Sequence, residues 1–155
     1  MKPEPSIPQL LPLDLATIAR VLDQVGYVHY SVDEPRGRVV LDIQGDETLL
    51  RLNVLIGKTQ SGETWYVRLL TFSLEFEPRK AGVDRPALLD WLNRKNEDLL
   101  FGRYYYNEES DTVAFEVSLP GNHGVIEEDL LDLLRIATVS VDKAHADLKR
   151  LVPDA

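Results

Sequence analysis

Any chemistry in this chain of 155 residues must come from a short set of side chains, and the histidines are the first to weigh. His29, His123 and His145 are the only imidazoles, and they fall in three separate stretches. None has a carboxylate at the His-Glu-x-x-His spacing that sets ligands on one helix face, so they predict neither a metal site nor a general base. His145 is expected on the flank of a helix stripe and His123 in a solvated, glycine-rich turn. Cysteine is absent, which removes disulfides, thiolate zinc sites, iron–sulfur clusters and thiol nucleophiles together. No serine stands in a Gly-x-Ser-x-Gly elbow. Gly57-Lys58-Thr59 with Gly62 lacks the residue order of a phosphate loop, and no helix pattern follows it. It reads as a hairpin turn.

Carboxylates are plentiful. The stretch 107–132 holds eight acids and no Lys or Arg: Glu108, Glu109, Asp111, Glu116, Glu127, Glu128, Asp129 and Asp132. A calcium loop needs acids at regular offsets around a central Gly with a closing Glu, and this stretch does not supply them. The acids therefore read as a solvated turn and a charged helix start that could steer a basic partner. The expectation is no catalytic residue, no cofactor and no metal.

Charge and length bound the partners. With 17 Lys+Arg against 26 Asp+Glu the formal charge is −9, so neither nucleic acid nor an anionic membrane is an expected partner. No apolar run approaches the ~20 residues a spanning helix needs. Four prolines in Met1–Pro12 preclude the apolar helix of a signal peptide, and a cytoplasmic location is the default expectation. Residues 1–12 read as a Pro-rich extended arm, or as a docking strap through Ile7, Leu10 and Leu11. Residues 13–152 read as one domain.

The elements that would position a site follow from periodicity. Leu15, Ile18, Ala19, Leu22 and Val25 mark a helix that starts after Asp14 and ends at Gly26. Period two then takes over in Tyr27–Val32, Arg38–Ile43, Thr48–Ile56 and Thr64–Phe76, a four-stranded meander. Asp84 caps a second helix with Pro86 in its first turn and Leu88, Leu89, Trp91 and Leu92 as its buried stripe. Phe101–Asn107 and Thr112–Leu119 form a hairpin. Leu130, Leu134, Ala137, Val141, Ala144, Leu148 and Leu151 draw a seam along a closing helix. The predicted fold class is α+β: helix, β-meander, helix, β-hairpin, helix, with the helices packed on a mostly antiparallel sheet.

One feature of that sheet exceeds what folding needs. If the loop Thr59–Gly62 closes the central hairpin, Ile56 faces Trp65, Val54 faces Val67 and Leu52 faces Leu69, and this side meets the helices. The other side then carries Leu49, Leu55, Tyr66, Leu70, Phe72, Leu74 and Phe76, relieved by Arg51, Asn53 and Arg68. In the second hairpin, Tyr104 and Tyr106 align with Phe115 and Val113, while Phe101, Arg103 and Tyr105 share the far side with Glu116. A half-solvated sheet should alternate cleanly, and so rich a second face marks an interface unless a helix or the arm covers it. Trp65, Tyr66, Leu70, Phe72, Phe101, Tyr105 and Trp91 are the candidate protein-binding residues.

The chain resembles the YbjN-like family over Leu89-Asp90-Trp91-Leu92-Asn93-Arg94-Lys95-Asn96, Phe101-Gly102-Arg103-Tyr104-Tyr105-Tyr106, Val113-Ala114-Phe115-Glu116 and Leu119-Pro120, into the helix at Glu127. Ile18–Tyr27 resembles the family's opening helix. The resemblance implies the fold of type III secretion chaperones, small acidic proteins, usually dimeric, that hold extended segments of partners. It implies no catalytic residues. Ile126 departs from the Ser or Thr cap frequent at that position, and the Pro-rich arm is additional. Together these readings predict a non-enzymatic protein-binding module, chaperone-like or regulatory, forming a homodimer and receiving an extended or amphipathic segment on an apolar face with an acidic rim. The rival is a small-molecule sensor or enzyme with a pocket between the meander and the C-terminal helix.

Overall fold

The computed structural model describes residues 7–154. In chain order the elements are β1 (Leu10–Leu11), α1 (Leu15–Gln24), β2 (Tyr30–Asp33), a 3-10 turn (Glu34–Arg36), β3 (Arg38–Gln44), β4 (Leu49–Lys58), β5 (Trp65–Ser73), α2 (Arg85–Glu97), β6 (Arg103–Asn107), β7 (Thr112–Pro120), β8 (Val125–Ile126) and α3 (Glu127–Lys149). The fold is α+β, as the periodicities predict. Six antiparallel strands run in the order β2-β3-β4-β5-β7-β6, and β1 pairs with β8 in a separate two-stranded ribbon.

Local chemistry starts the first two helices. Asp14 accepts a 2.7 Å hydrogen bond from the Thr17 amide, and Asp84 accepts one of 3.1 Å from Ala87. No side chain caps α3, because Ile126 has none to offer; Glu127, Glu128 and Asp129 occupy its first turn instead. All three helices lie against one side of the sheet. Val39, Leu41, Leu50, Leu52, Val54, Val67, Leu69, Val113, Phe115 and Val117 supply that side of the core, facing Ile18, Val21 and Leu22 of α1, Leu88 and Leu92 of α2, and the seam of α3 from Leu130 to Leu148. The α1 stripe is rotated from the expected one: Thr17 and Val21 are buried, whereas Val25 follows the last turn and is exposed.

Several strand limits differ from the sequence pattern; β6, for one, starts at Arg103 and not at Phe101. Tyr27 and Val28 precede β2 and are exposed. β5 ends at Ser73, so Phe76 does not extend the far face. The chain turns, and Phe76 enters the core with its ring edge-on to His145 at 5.9 Å between centroids. The central hairpin closes with Lys58 opposite Trp65 rather than around Thr59–Gly62, which puts Ile56 opposite Val67, Val54 opposite Leu69 and Leu52 opposite Thr71. The shift is two residues. Because side chains alternate with period two, the assignment of faces survives it. The second hairpin has the expected register, with Tyr104 opposite Phe115 and Tyr106 opposite Val113.

Part of the arm is paired. Leu10 and Leu11 pair with Ile126 and Val125, and Leu11 packs on the core, so this part straps the start of α3. Met1–Ser6 lie outside the described residues. Among the described residues no helix is long and apolar enough to cross a membrane.

Candidate protein-binding face

The side of the sheet away from the helices is built in rows of side chains, one from each strand. The central row is Ser31, Val40, Asn53, Leu70, Glu116 and Arg103. One flank holds Asp33, Arg38, Leu55, Arg68 and Ser118, and beyond it Gly57, Tyr66 and Pro120. The other flank holds Asp42, Arg51, Phe72, Ala114 and Tyr105, and beyond it Gln44, Leu49 and Leu74. No described helix covers these rows. Val40, Leu49, Leu55, Tyr66, Leu70, Phe72 and Tyr105 are half-buried, shielded only by their neighbours in the plane.

Charges on this face are paired within it. Glu116 sits between Arg68 and Arg103 and bonds both. Arg38 reaches Asp33 at 3.0 Å and Asn53 at 3.4 Å. Arg51 holds Asp42 through two bonds of 2.8 and 3.0 Å, and that bidentate contact keeps the Asp42 carboxyl below its ordinary pKa. Burial pushes the Tyr105 hydroxyl up. Arg68 Nε is buried without a hydrogen-bond partner among the described residues. A shallow open groove of about 680 Å³ runs past Tyr66, Arg68, Gly102, Arg103, Glu116 and Pro120. With the charges satisfied by one another, the apolar side chains of the face are the part left to meet another apolar layer.

Four of the seven candidate residues share this face: Tyr66, Leu70, Phe72 and Tyr105. Phe101, 63% exposed, stands at its rim just before β6. Gly102 explains that position. Its φ is +76°, and a Cβ there would collide with the Phe115 ring and the Glu116 carbonyl. Trp65 opens β5 on the opposite parity, 43% exposed, with the Lys58 ammonium 4.7 Å over its ring. Trp91 is elsewhere. At 6% exposure it belongs to the core, edge-on to Tyr104 at 5.3 Å, because α2 turns its Leu88–Trp91–Leu92 side toward β6.

At Tyr104 the β6 edge of the sheet is capped by a side chain. Asn96, near the end of α2, accepts from the Tyr104 amide at 2.7 Å and donates to its carbonyl at 2.9 Å, as a neighbouring strand would.

A second polar assembly lies under α3, and the sequence does not announce it. His145 is 3% exposed, not on a flank, and its Nδ1 is 3.2 Å from Ser73 Oγ. Ser73 Oγ lies 2.7 Å from Thr48 Oγ1, which donates to Glu75 Oε2 at 2.8 Å. An ionised Glu75 only accepts, so the protons order themselves along the chain: Thr48 donates to Glu75, Ser73 to Thr48, and His145 Nδ1–H to Ser73. The Thr48 and Leu49 donors hold Glu75 below its ordinary pKa. Burial, with Lys149 nearby, holds His145 below its own, against the opposing pull of Glu75, Asp142 and Glu47. The space beside His145, between the meander and α3, is only about 10 Å³, too small for a substrate. The group is a structural clamp between β4, β5 and α3.

That clamp gives a pH prediction. The unfolded imidazole titrates near 6.5 and the folded one lower, so the unfolded chain binds the extra proton between the two. This contribution to stability is complete above about pH 6.5 and declines as pH falls below it. Thermal unfolding followed from pH 7.5 to 5.5 should show a drop in midpoint that is shallower in His145→Gln. Equal slopes would show that the imidazole is not held neutral.

The model of the YbjN family, described as "Putative bacterial sensory transduction regulator", matches residues 14–149. A search of the curated proteins finds no match.

Proposed function

From a chain that belongs to the YbjN family, we propose a cytoplasmic, non-enzymatic regulator that works by binding another polypeptide on the open face of its sheet. The observation that carries this reading is the far side of β3, β4, β5 and β7. Val40, Leu55, Leu70, Phe72 and Tyr66 stand half-buried there among Asn53 and Arg68, with no described element over them. Soluble folds seldom leave such a surface without a use. The bound segment would be extended or amphipathic, laid across the rows with its apolar side on Leu70 and Phe72. The aromatic side chains of the face are the natural anchors.

Tyr66→Ala and Phe72→Ala should weaken association more than folding. Proteins captured by the wild-type chain would be compared with those captured by Phe72→Ala and by Val139→Ala, an exposed position on α3. Loss with the first and retention with the second supports the face. Capture that is equal for all three, or a large fall in thermal stability for Phe72→Ala, removes it.

A further inference from the structure

We propose that the polypeptide bound on this face seats an acidic side chain in the groove beside Arg68 and Arg103, two residues along from an aromatic one that lies on Tyr66 and Pro120. The inference rests on the binding-face reading and names the chemistry of the occupant. Charge is the first argument. The rows of the face hold four arginines, Arg38, Arg51, Arg68 and Arg103, against three carboxylates, Asp33, Asp42 and Glu116. The face is therefore net positive in a chain whose formal charge is −9. The excess is local. Asp33 and Asp42 each pair with one arginine of the face, whereas Glu116 alone serves both Arg68 and Arg103. The acidic turns lie at the other end of the strands, where Asp46 and Glu47 follow β3 and Glu108 and Glu109 follow β6.

The groove also offers donors that the fold leaves free. The Gly121 amide bonds the Trp65 carbonyl on the β5 side, and backbone groups alternate in direction along a strand, so the Ser118 amide points to the other side of β7. The Asn96 bonds agree. They take the outward groups of Tyr104, which turns Arg103 and its partner Glu116 toward each other, and Ser118 has the parity of Glu116. Ser118 is exposed and lies beyond the last β6–β7 pair, so no strand takes its amide. Arg68 Nε is likewise without an acceptor. Two guanidiniums and an amide around one open groove suit a carboxylate, which only accepts.

Row spacing gives the rest of the pattern. Side chains two residues apart on one side of a strand stand about 6.8 Å apart, both in the face and in an extended segment laid along it. Along β5 the successive rows are Tyr66 with Pro120, Arg68 with Ser118, then Leu70, then Phe72. The matching segment reads aromatic-x-acid-x-apolar-x-apolar, or the same order reversed where it runs the other way. A basic residue in the acid position would set like charges together on Arg68 and Arg103.

The probes are two end-blocked, fluorescently labelled peptides, Ser-Phe-Ser-Glu-Ser-Leu-Ser-Leu-Ser and the same order reversed, each beside a version with Lys in place of Glu. Anisotropy with the full chain at up to about 1 mM should show binding of at least one Glu peptide, and its Lys version should bind at least about tenfold more weakly. Arg103→Gln, at an exposed position, should weaken the Glu peptide about tenfold and spare the Lys peptide, with the thermal midpoint of the chain retained. Glu116→Gln should act in the opposite sense and tighten the Glu peptide about threefold, because it removes the carboxylate that competes for both arginines. A purely structural role for these side chains would not raise affinity. No binding of either Glu peptide, equal binding of the Glu and Lys versions, or indifference to both Arg103→Gln and Glu116→Gln overturns the inference. Lys peptides that bind and are lost with Phe72→Ala would overturn the acid and leave the binding face standing. Peptide binding indifferent to Phe72→Ala and Arg103→Gln alike would remove both.

Discussion

Phe115→Ala should cost about 3–5 kcal/mol of stability, whereas Phe72→Ala, diagonally beside it on the opposite side of the sheet, should cost about 1 kcal/mol. Phe115 is fully buried and its ring meets Tyr104 edge-on at 5.1 Å, which in turn meets Trp91 at 5.3 Å. Removing it opens a cavity that the helices cannot close, and it also breaks the aromatic chain from β7 to α2. Phe72 sits opposite Arg51 on β4 and Ala114 on β7, with no layer above it, so truncation returns half-exposed area to water and leaves no void. Chemical denaturation followed by fluorescence, with Trp91 in the core reporting, measures both costs. The contrast matters more than either value. Similar losses at the two positions would mean that both sides of the sheet are core, and the case for a binding face would fall with them.

The two faces are legible in the sequence, and the reason is parity. The alternation from Leu49 to Ile56 and from Trp65 to Phe72 sorts side chains onto two faces whatever the hairpin loop does. A displacement of two residues at Lys58 and Trp65 therefore changed every partner and no face. Parity stops being informative where a strand stops. Nothing in Ser73-Leu74-Glu75-Phe76 marks the bend, which depends on Ser73 and Thr48 meeting Glu75 and on His145 offering Phe76 a place under α3. Trp91 and Phe101 show the difference. Trp91, in the middle of α2, stands in the stripe that the helical spacing assigns to the core, and that stripe rather than its aromatic type decides its place; Phe101 lies at the rim because β6 starts two residues after it.

The polar links were illegible for a related reason: their partners are far apart in sequence. Asp142 accepts hydrogen bonds from the amides of Asp46, Glu47 and Thr48, so a carboxylate on α3 organises the β3–β4 turn. It sits so close over Gly45 that a side chain there would collide with it. Asn96 capping the β6 edge is another such link. In the sequence it is one more polar residue near a helix end. In the fold it takes the place of a strand at Tyr104 and blunts the β6 edge there.

The Asp111 turn carries the other large expected effect. Asp111→Ala should cost about 3 kcal/mol, and Asp111→Asn clearly less. The Asp111 carboxylate is almost fully buried and accepts from the Arg79 amide at 2.9 Å, the Lys80 amide at 3.0 Å and the Tyr106 hydroxyl at 2.7 Å. It thereby ties the segment before α2 to the turn of the second hairpin. Its φ of +52° is left-handed, a region that Asn and Gly tolerate and Ala does not. Comparing Asp111→Gly with Asp111→Ala isolates the backbone share, about 1 kcal/mol, because both remove the same three hydrogen bonds. Burial raises the carboxyl's pKa, but the Tyr106 hydroxyl and the two amides outweigh burial and leave it below the ordinary 3.8. The unfolded chain therefore binds a proton before the folded one does. The contribution of Asp111 is complete well above pH 3.8 and is lost as pH falls through the lower, folded value. Acid titration of stability should show a steeper limb in the wild type than in Asp111→Asn. Coincident limbs would mean that the carboxylate is not the charged centre of this turn, and an Asp111→Ala cost near zero would mean that the turn is held by its backbone alone.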